Sequence, residues 1–292
     1  MSGDLVSLCM LVIAAARPDQ ELWRQATAMA SVPIEFATHD AASAANAIVK
    51  NGADICVVDA ALSDANRAAV VNAARAAKSA PLVFVSAPKS TGRVDGVDGM
   101  LTKPANVDEA IKQVEICIRA KFPTRVLVVD DSGTMRSIVR KILSASRFAM
   151  DIHEAAEGIA ALNQLRDGNF GIVFLDYNMP GLNGFETLSE IKRECPKVAV
   201  VMMISTLDKA VADRAHASGA LAFLKKPFYP ADIDATLERC FGLNGAAARF
   251  FLREVRQRRR GSGYCRCCSR VNSPLRMRGP SRSAKVAAAS SP

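Results

Sequence analysis

Short apolar runs alternate with stretches of helical period along most of this chain. From residue 125, Val126–Val129, Met150–His153, Gly171–Leu175, Val198–Ile204 and Leu221–Leu224 read as strands. Between the first two, Met135, Ile138, Val139, Ile142 and Leu143 follow a 3.6-residue period, as Ile159, Leu162 and Leu165 do further on. Phe185–Arg193, Ala210–Ala217 and Ala231–Cys240 complete the predicted helices. Near-continuous apolar strands of this kind belong to a parallel sheet covered on both faces.

The pattern occurs twice. Residues 1–122 give strands at Leu5–Ala14, Val32–Phe36, Asp54–Val58, Leu82–Val85 and Gly99–Leu101. Helices fit Asp19–Ala30, Ala41–Lys50, Asn66–Lys78 and Asn106–Ala120. Ala14 pairs with Asp130, Asp59 with Asp176, Ser86 with Ser205 and Lys103 with Lys226, at offsets drifting only from 116 to 123. A tandem duplication explains so slow a drift. Residues 87–97, with Pro88 and two glycines, stand where the first half should carry its fourth helix, so a loop is expected there. The fold class is α/β, two doubly wound flavodoxin-like domains of five βα units. The expected divisions are 1–122, 123–245 and a basic, disordered tail at 246–292, with Lys121-Phe122-Pro123-Thr124 holding the domains close.

Charge refines this picture in one respect. The net charge of +9 comes from the tail, which holds twelve Lys/Arg and one acid, leaving −2 on residues 1–245. Arg256-Gln257-Arg258-Arg259-Arg260 could attract nucleic acid electrostatically, but no helix-turn-helix pattern accompanies it, so no nucleic-acid partner is expected. The longest apolar stretch, Leu5–Ala16, is too short to span a membrane and lacks the basic n-region of a signal peptide. Cysteines 9, 56, 117, 195 and 240 are scattered singly, as reduced thiols would be, and cytoplasm is the expected compartment. Cys265, Cys267 and Cys268 lack a fourth ligand for zinc.

Four strand ends carry the chemistry. Asp130-Asp131, Asp176, Ser205 and Lys226 each follow an apolar run, and such groups meet at the carboxyl edge of a parallel sheet. Three clustered carboxylates call for a hard cation, and Mg²⁺ accepts one or two of them while keeping its waters. Asp131 and Asp176 are the expected direct ligands, with the main-chain carbonyl of Asn178 as a third and Asp130 acting through water. Asp176 can also attack phosphorus as a nucleophile, with Lys226 neutralising the transferring oxygens and Ser205 donating to them.

Residues 125–243 resemble the receiver domains of two-component response regulators over their full length. Asp130-Asp131, the Leu175-Asp176-Tyr177-Asn178-Met179-Pro180-Gly181 run, Ser205 and Lys226-Pro227-Phe228 carry the resemblance. It implies a Mg²⁺-dependent phosphoacceptor at Asp176, supplied by a histidine kinase or phosphotransfer protein, and a cis Lys226–Pro227 bond. It also implies a switch through Ser205 and Phe223 that alters protein contacts, with no enzyme activity beyond self-catalysed phosphotransfer and dephosphorylation. The first half departs from the pattern, because Ala14-Ala15 replace the acid pair and Ala60-Ala61-Leu62-Ser63 replaces Met-Pro-Gly. It is expected to act by packing, with Asp59 and Lys103 as an ion pair. The downstream target and a homodimer stay open. So do two other readings: a phosphorylation-independent scaffold, and a diguanylate cyclase or transcription regulator shortened before its effector.

Overall fold

The computed structural model describes residues 7–205 and 216–243. In the first half β1 (Leu8–Ile13), β2 (Ile34–His39), β3 (Ile55–Asp59), β4 (Leu82–Ala87) and β5 (Gly99–Thr102) alternate with helices. These are α1 (Arg17–Ala28), α2 (Ala41–Asn51), α3 (Asp64–Ala76) and, after β5, α4 (Val107–Lys121). The second half has β6 (Thr124–Val129), α5 (Gly133–Ser144), β7 (Met150–Ala155), α6 (Gly158–Asp167) and β8 (Ile172–Asp176). It continues through α7 (Gly184–Glu194), β9 (Ala199–Ile204), β10 (Ala222–Lys225) and α8 (Pro230–Phe241).

Both five-stranded sheets are parallel and share one order, β2-β1-β3-β4-β5 and β7-β6-β8-β9-β10. The chain is thus two doubly wound βα domains in tandem. The helix starts follow from local chemistry. Asp40, Ser63, Asn106 and Ser132 each accept a backbone N–H two or three positions into the helix they open. Asn183 and Glu186 form a reciprocal capping box on α7. Pro230 opens α8, and Gly242 closes it in the left-handed conformation at φ 81°.

The central strands β3, β4, β8 and β9 are buried along their whole length, as their apolar runs require. The edge strand β2 lies two to three residues later than expected, at Ile34–His39 instead of Val32–Phe36. Its polar and apolar positions alternate, so no continuous apolar run marks its ends. Between β4 and β5 the chain runs from residue 88 to 98 without a helix, as expected. The helix expected at Ala210–Ala217 and the tail at 246–292 fall largely or wholly outside the described residues.

Each sheet has a private core on one face. Leu11, Ile48 and Val85 belong to the first, and Leu127, Leu162 and Met202 to the second. The other two faces share a third cluster, which runs from Trp23, Phe84 and Ile116 to Phe148, Phe174, Phe241 and Leu243. The four helices α1, α4, α5 and α8 are therefore packed into one apolar layer between the sheets.

Candidate functional site

The second sheet gathers the expected residues at its carboxyl edge. Asp130 follows β6, Asp176 ends β8, and Lys226 follows β10. Ligand atoms of Asp130, Asp131 and Asp176 lie within 4.8 Å of one another. Asp130 and Asp176 are buried at 1% and 4% exposure, whereas Asp131 is exposed. Lys226 Nζ donates to Asp130 Oδ2 and to Asp176 Oδ1, each at 2.8 Å. Its cis bond to Pro227 is present, and its N–H donates to Ile204 O at 2.8 Å.

This arrangement sets the electrostatics. Burial pushes the Asp176 carboxyl above its ordinary range; the hydrogen bond from Lys226 offsets part of the rise, and the charge of Asp130 adds to it. For Lys226, burial favours the neutral amine, but the bonds to Asp130 and Asp176 outweigh it and hold the ammonium above its ordinary value. Three acids against one lysine leave the pocket negative, open through Asp131 and able to take a divalent cation.

The other expected residues frame this centre. Ser205 follows β9 and is exposed, and Phe223 lies half-buried on β10 against the second core. Tyr177, Asn178, Met179 and Asn183 line an open cavity of about 470 Å³ beside Asp176. Lys225 is exposed.

Two residues escaped the sequence reading. Arg136 Nη1 donates to Asp130 O at 2.7 Å and Asp131 O at 3.2 Å, while its Nε reaches Glu154 at 3.2 Å. It pins the acid pair to the start of α5 from three residues inside that helix. Gly184, at the start of α7, packs so closely under Asp176 and Tyr177 that a Cβ would fall 2.7 Å from Tyr177 Cα. A glycine at a helical position where alanine is favoured was the signal for it.

The first sheet's equivalent edge is built differently. Asp59 is buried at the end of β3, and Lys103 Nζ donates to Asp59 Oδ2 at 2.9 Å. The expected pair has a third member, because Asp19 of α1 also reaches Lys103 Nζ at 2.8 Å. The hydrogen bonds that Lys103 donates to Asp19 and Asp59 raise its pKa. Ala14 contributes only its carbonyl, which accepts from Gln20 Nε2 at 2.6 Å.

Known proteins resemble parts of this chain. The response regulator receiver domain family matches residues 126–238. Chemotaxis protein CheY-3 of Vibrio cholerae is 33% identical over 119 residues, 40% of this chain and 91% of that protein. The protein-glutamate methylesterase/protein-glutamine glutaminase 3 of Burkholderia thailandensis is 38% identical over 106 residues, 35% of this chain and 29% of that protein. A solved two-component response regulator/GGDEF domain protein is 20% identical at a TM-score of 0.49, across 82% of this chain and 99% of its own. The chain belongs to the response regulator receiver-domain family, the CheY-like proteins of two-component signalling. Among the described residues no helix is long and apolar enough to cross a membrane.

Proposed function

We propose that residues 123–245 form an active receiver that takes a phosphoryl group on Asp176 from a histidine kinase or phosphotransfer protein. In this reading residues 1–122 form a degenerate partner domain and 246–292 a basic tail. The observation that carries it is the convergence of Asp130, Asp131 and Asp176 within 4.8 Å, with Lys226 bonded to two of them.

The attacking atom is a carboxylate oxygen of Asp176. Its O–P bond forms as the N–P bond of a phosphohistidine breaks, and the electron pair returns to the imidazole. Lys226 stands 2.8 Å from Asp176 Oδ1, close enough to pair with charge on the transferring oxygens. Asp131, Asp176 and the carbonyl of Asn178 would hold Mg²⁺ directly, and Asp130 would hold its waters. Bound there, Mg²⁺ supplies the positive charge that three carboxylates and a phosphoryl group need. Ser205, which follows β9 at the same edge of the sheet, would then donate to a phosphoryl oxygen, and Phe223 would turn inward. That rearrangement shifts a pre-existing equilibrium between two surfaces and so changes protein contacts.

The first domain lacks the acid pair this chemistry needs, since Ala14-Ala15 stand in its place and its two acids, Asp19 and Asp59, both pair with Lys103 and leave a single net negative charge. Intact mass after incubation with acetyl phosphate tests the proposal. One phosphoryl adduct is expected, dependent on Mg²⁺, absent in Asp176→Asn and retained in Asp59→Asn. No adduct under any condition would replace the phosphoacceptor reading with that of a scaffold.

A further inference from the structure

The seam between the domains contains an ionic cluster that the phosphoacceptor chemistry does not use. Asp98, just before β5, is fully buried and accepts from Arg75 at 2.8 Å and from the Val83 N–H at 2.6 Å. Glu238 of α8 is 2% exposed and accepts from Arg93 at 2.8 Å. Arg147, just after α5, joins the two acids: its Nη2 donates to Glu238 at 2.7 Å and its Nε lies 3.4 Å from Asp98. Each buried acid thus takes one arginine from the first domain and shares Arg147 of the second.

Backbone and apolar contacts continue the seam. The Leu243 carbonyl accepts from Met100 N at 3.1 Å, so the end of the second domain pairs with the edge strand β5. A Cβ on Gly99 would meet Leu243 Cβ at 2.8 Å. Phe148 and Phe241 stack beside Arg147, with centroids 4.8 Å apart. The seat for these groups is the side where the first domain has a loop at 88–98 in place of a helix.

The placement matters because of where α5 and α8 begin. α5 leaves the Asp130–Asp131 end of β6, and α8 follows Lys226. Each is 12 residues long, about 18 Å, and is gripped near its far end. We propose that the first domain is a brace pinned by Arg147, which locks α5 and α8 together so that the two domains fold and unfold as one unit. A ligand of the second pocket then stabilises the first domain as well. That last consequence rests on the Mg²⁺ reading of the acid pocket, whereas the brace itself does not.

Trp23, the single tryptophan, lies buried in α1 and so reports on the packing of the first domain. Urea unfolding of the full chain can be followed by Trp23 fluorescence and by pulsed hydrogen exchange of peptides around Asp130 and Asp176. The two transitions are expected to coincide in wild type. They should separate in Arg147→Met, and also in Gly99→Val, which wedges the seam without touching an ion pair. Mg²⁺ at about a hundredfold over its Kd should raise the thermal midpoint seen by Trp23 by about 5–10 °C in wild type. In the two variants that shift should vanish. Separate transitions in wild type, or coincident ones in both variants, would overturn the brace. If Mg²⁺ moves neither probe, the metal reading fails while the coincidence of transitions still decides the brace.

Discussion

Lys103 of the first domain lies 2.8 Å from Asp19, a residue of α1 that stands fifteen positions before β2 begins. This contact gives the first pocket a second carboxylate in place of the lost acid pair, bound to an internal ammonium. Asp19→Ala leaves Lys103 its bond to Asp59, and both partners are partly exposed, so the cost is about 0.5 kcal/mol. Trp23 fluorescence should show that small loss, with Mg²⁺-dependent labelling of Asp176 unchanged.

Asp176 should titrate above the ordinary carboxylate range in metal-free protein, because burial penalises its charge. Carbon-13 NMR of its carboxyl carbon measures this directly. A raised folded value means that the stability tied to the neutral form is present below the unfolded value and lost as pH rises through the folded one. At neutral pH without metal, Asp176→Asn should therefore melt a few degrees above wild type. That gap should narrow as the pH falls toward the Asp176 value.

Removing Lys226 has the opposite sign. Asp130 and Asp176 would lose the ammonium that pairs them, so Lys226→Met should cost about 3 kcal/mol in metal-free protein. Mg²⁺ should then stabilise this variant more than wild type, while acetyl phosphate labels it more slowly. In wild type the contribution of Lys226 holds through neutral pH, because its folded value is raised. It is lost only above the ordinary 10.5, as the pH passes through the folded value. Calorimetry with and without Mg²⁺ checks both statements.

Gly184→Ala separates helix propensity from packing. Propensity alone predicts a gain at the first position of α7. The added Cβ would instead strike the Asp176 carbonyl and lie 2.7 Å from Tyr177 Cα, so the variant should lose about 2 kcal/mol. Its labelling rate should fall as well, since the loop carrying Asn178 must move.

The sequence made the doubly wound parallel fold and the second pocket legible because both are written locally. Asp130, Asp176 and Lys226 each follow an apolar run, so a parallel sheet must bring them together. The missing helix at 88–98 was legible from Pro88 and its glycines. Strand β2 was misplaced by two to three residues because an edge strand alternates and its ends carry no apolar signal. Contacts between distant charges were not legible. Asp98, Glu238 and Arg147 have the look of ordinary surface charges, and only the packing of two domains buries the acids. Arg136 was hidden for a related reason: nothing local aims its side chain back at the carbonyls of Asp130 and Asp131.

The loop at 88–98 has a cost in modularity. Lys121-Phe122-Pro123-Thr124 invites a cut, since it joins two complete sheets. A first half expressed alone would bare the β5 edge that Leu243 caps, together with the apolar flank of α4. A second half alone would expose Phe148, Phe241 and Leu243 beside an acid, Glu238, stripped of Arg93. Open strand edges and greasy patches recruit other copies of the chain, so each fragment is an aggregation hazard that the intact protein avoids. The unit of inheritance in this chain is one βα domain, but the unit of solubility is two.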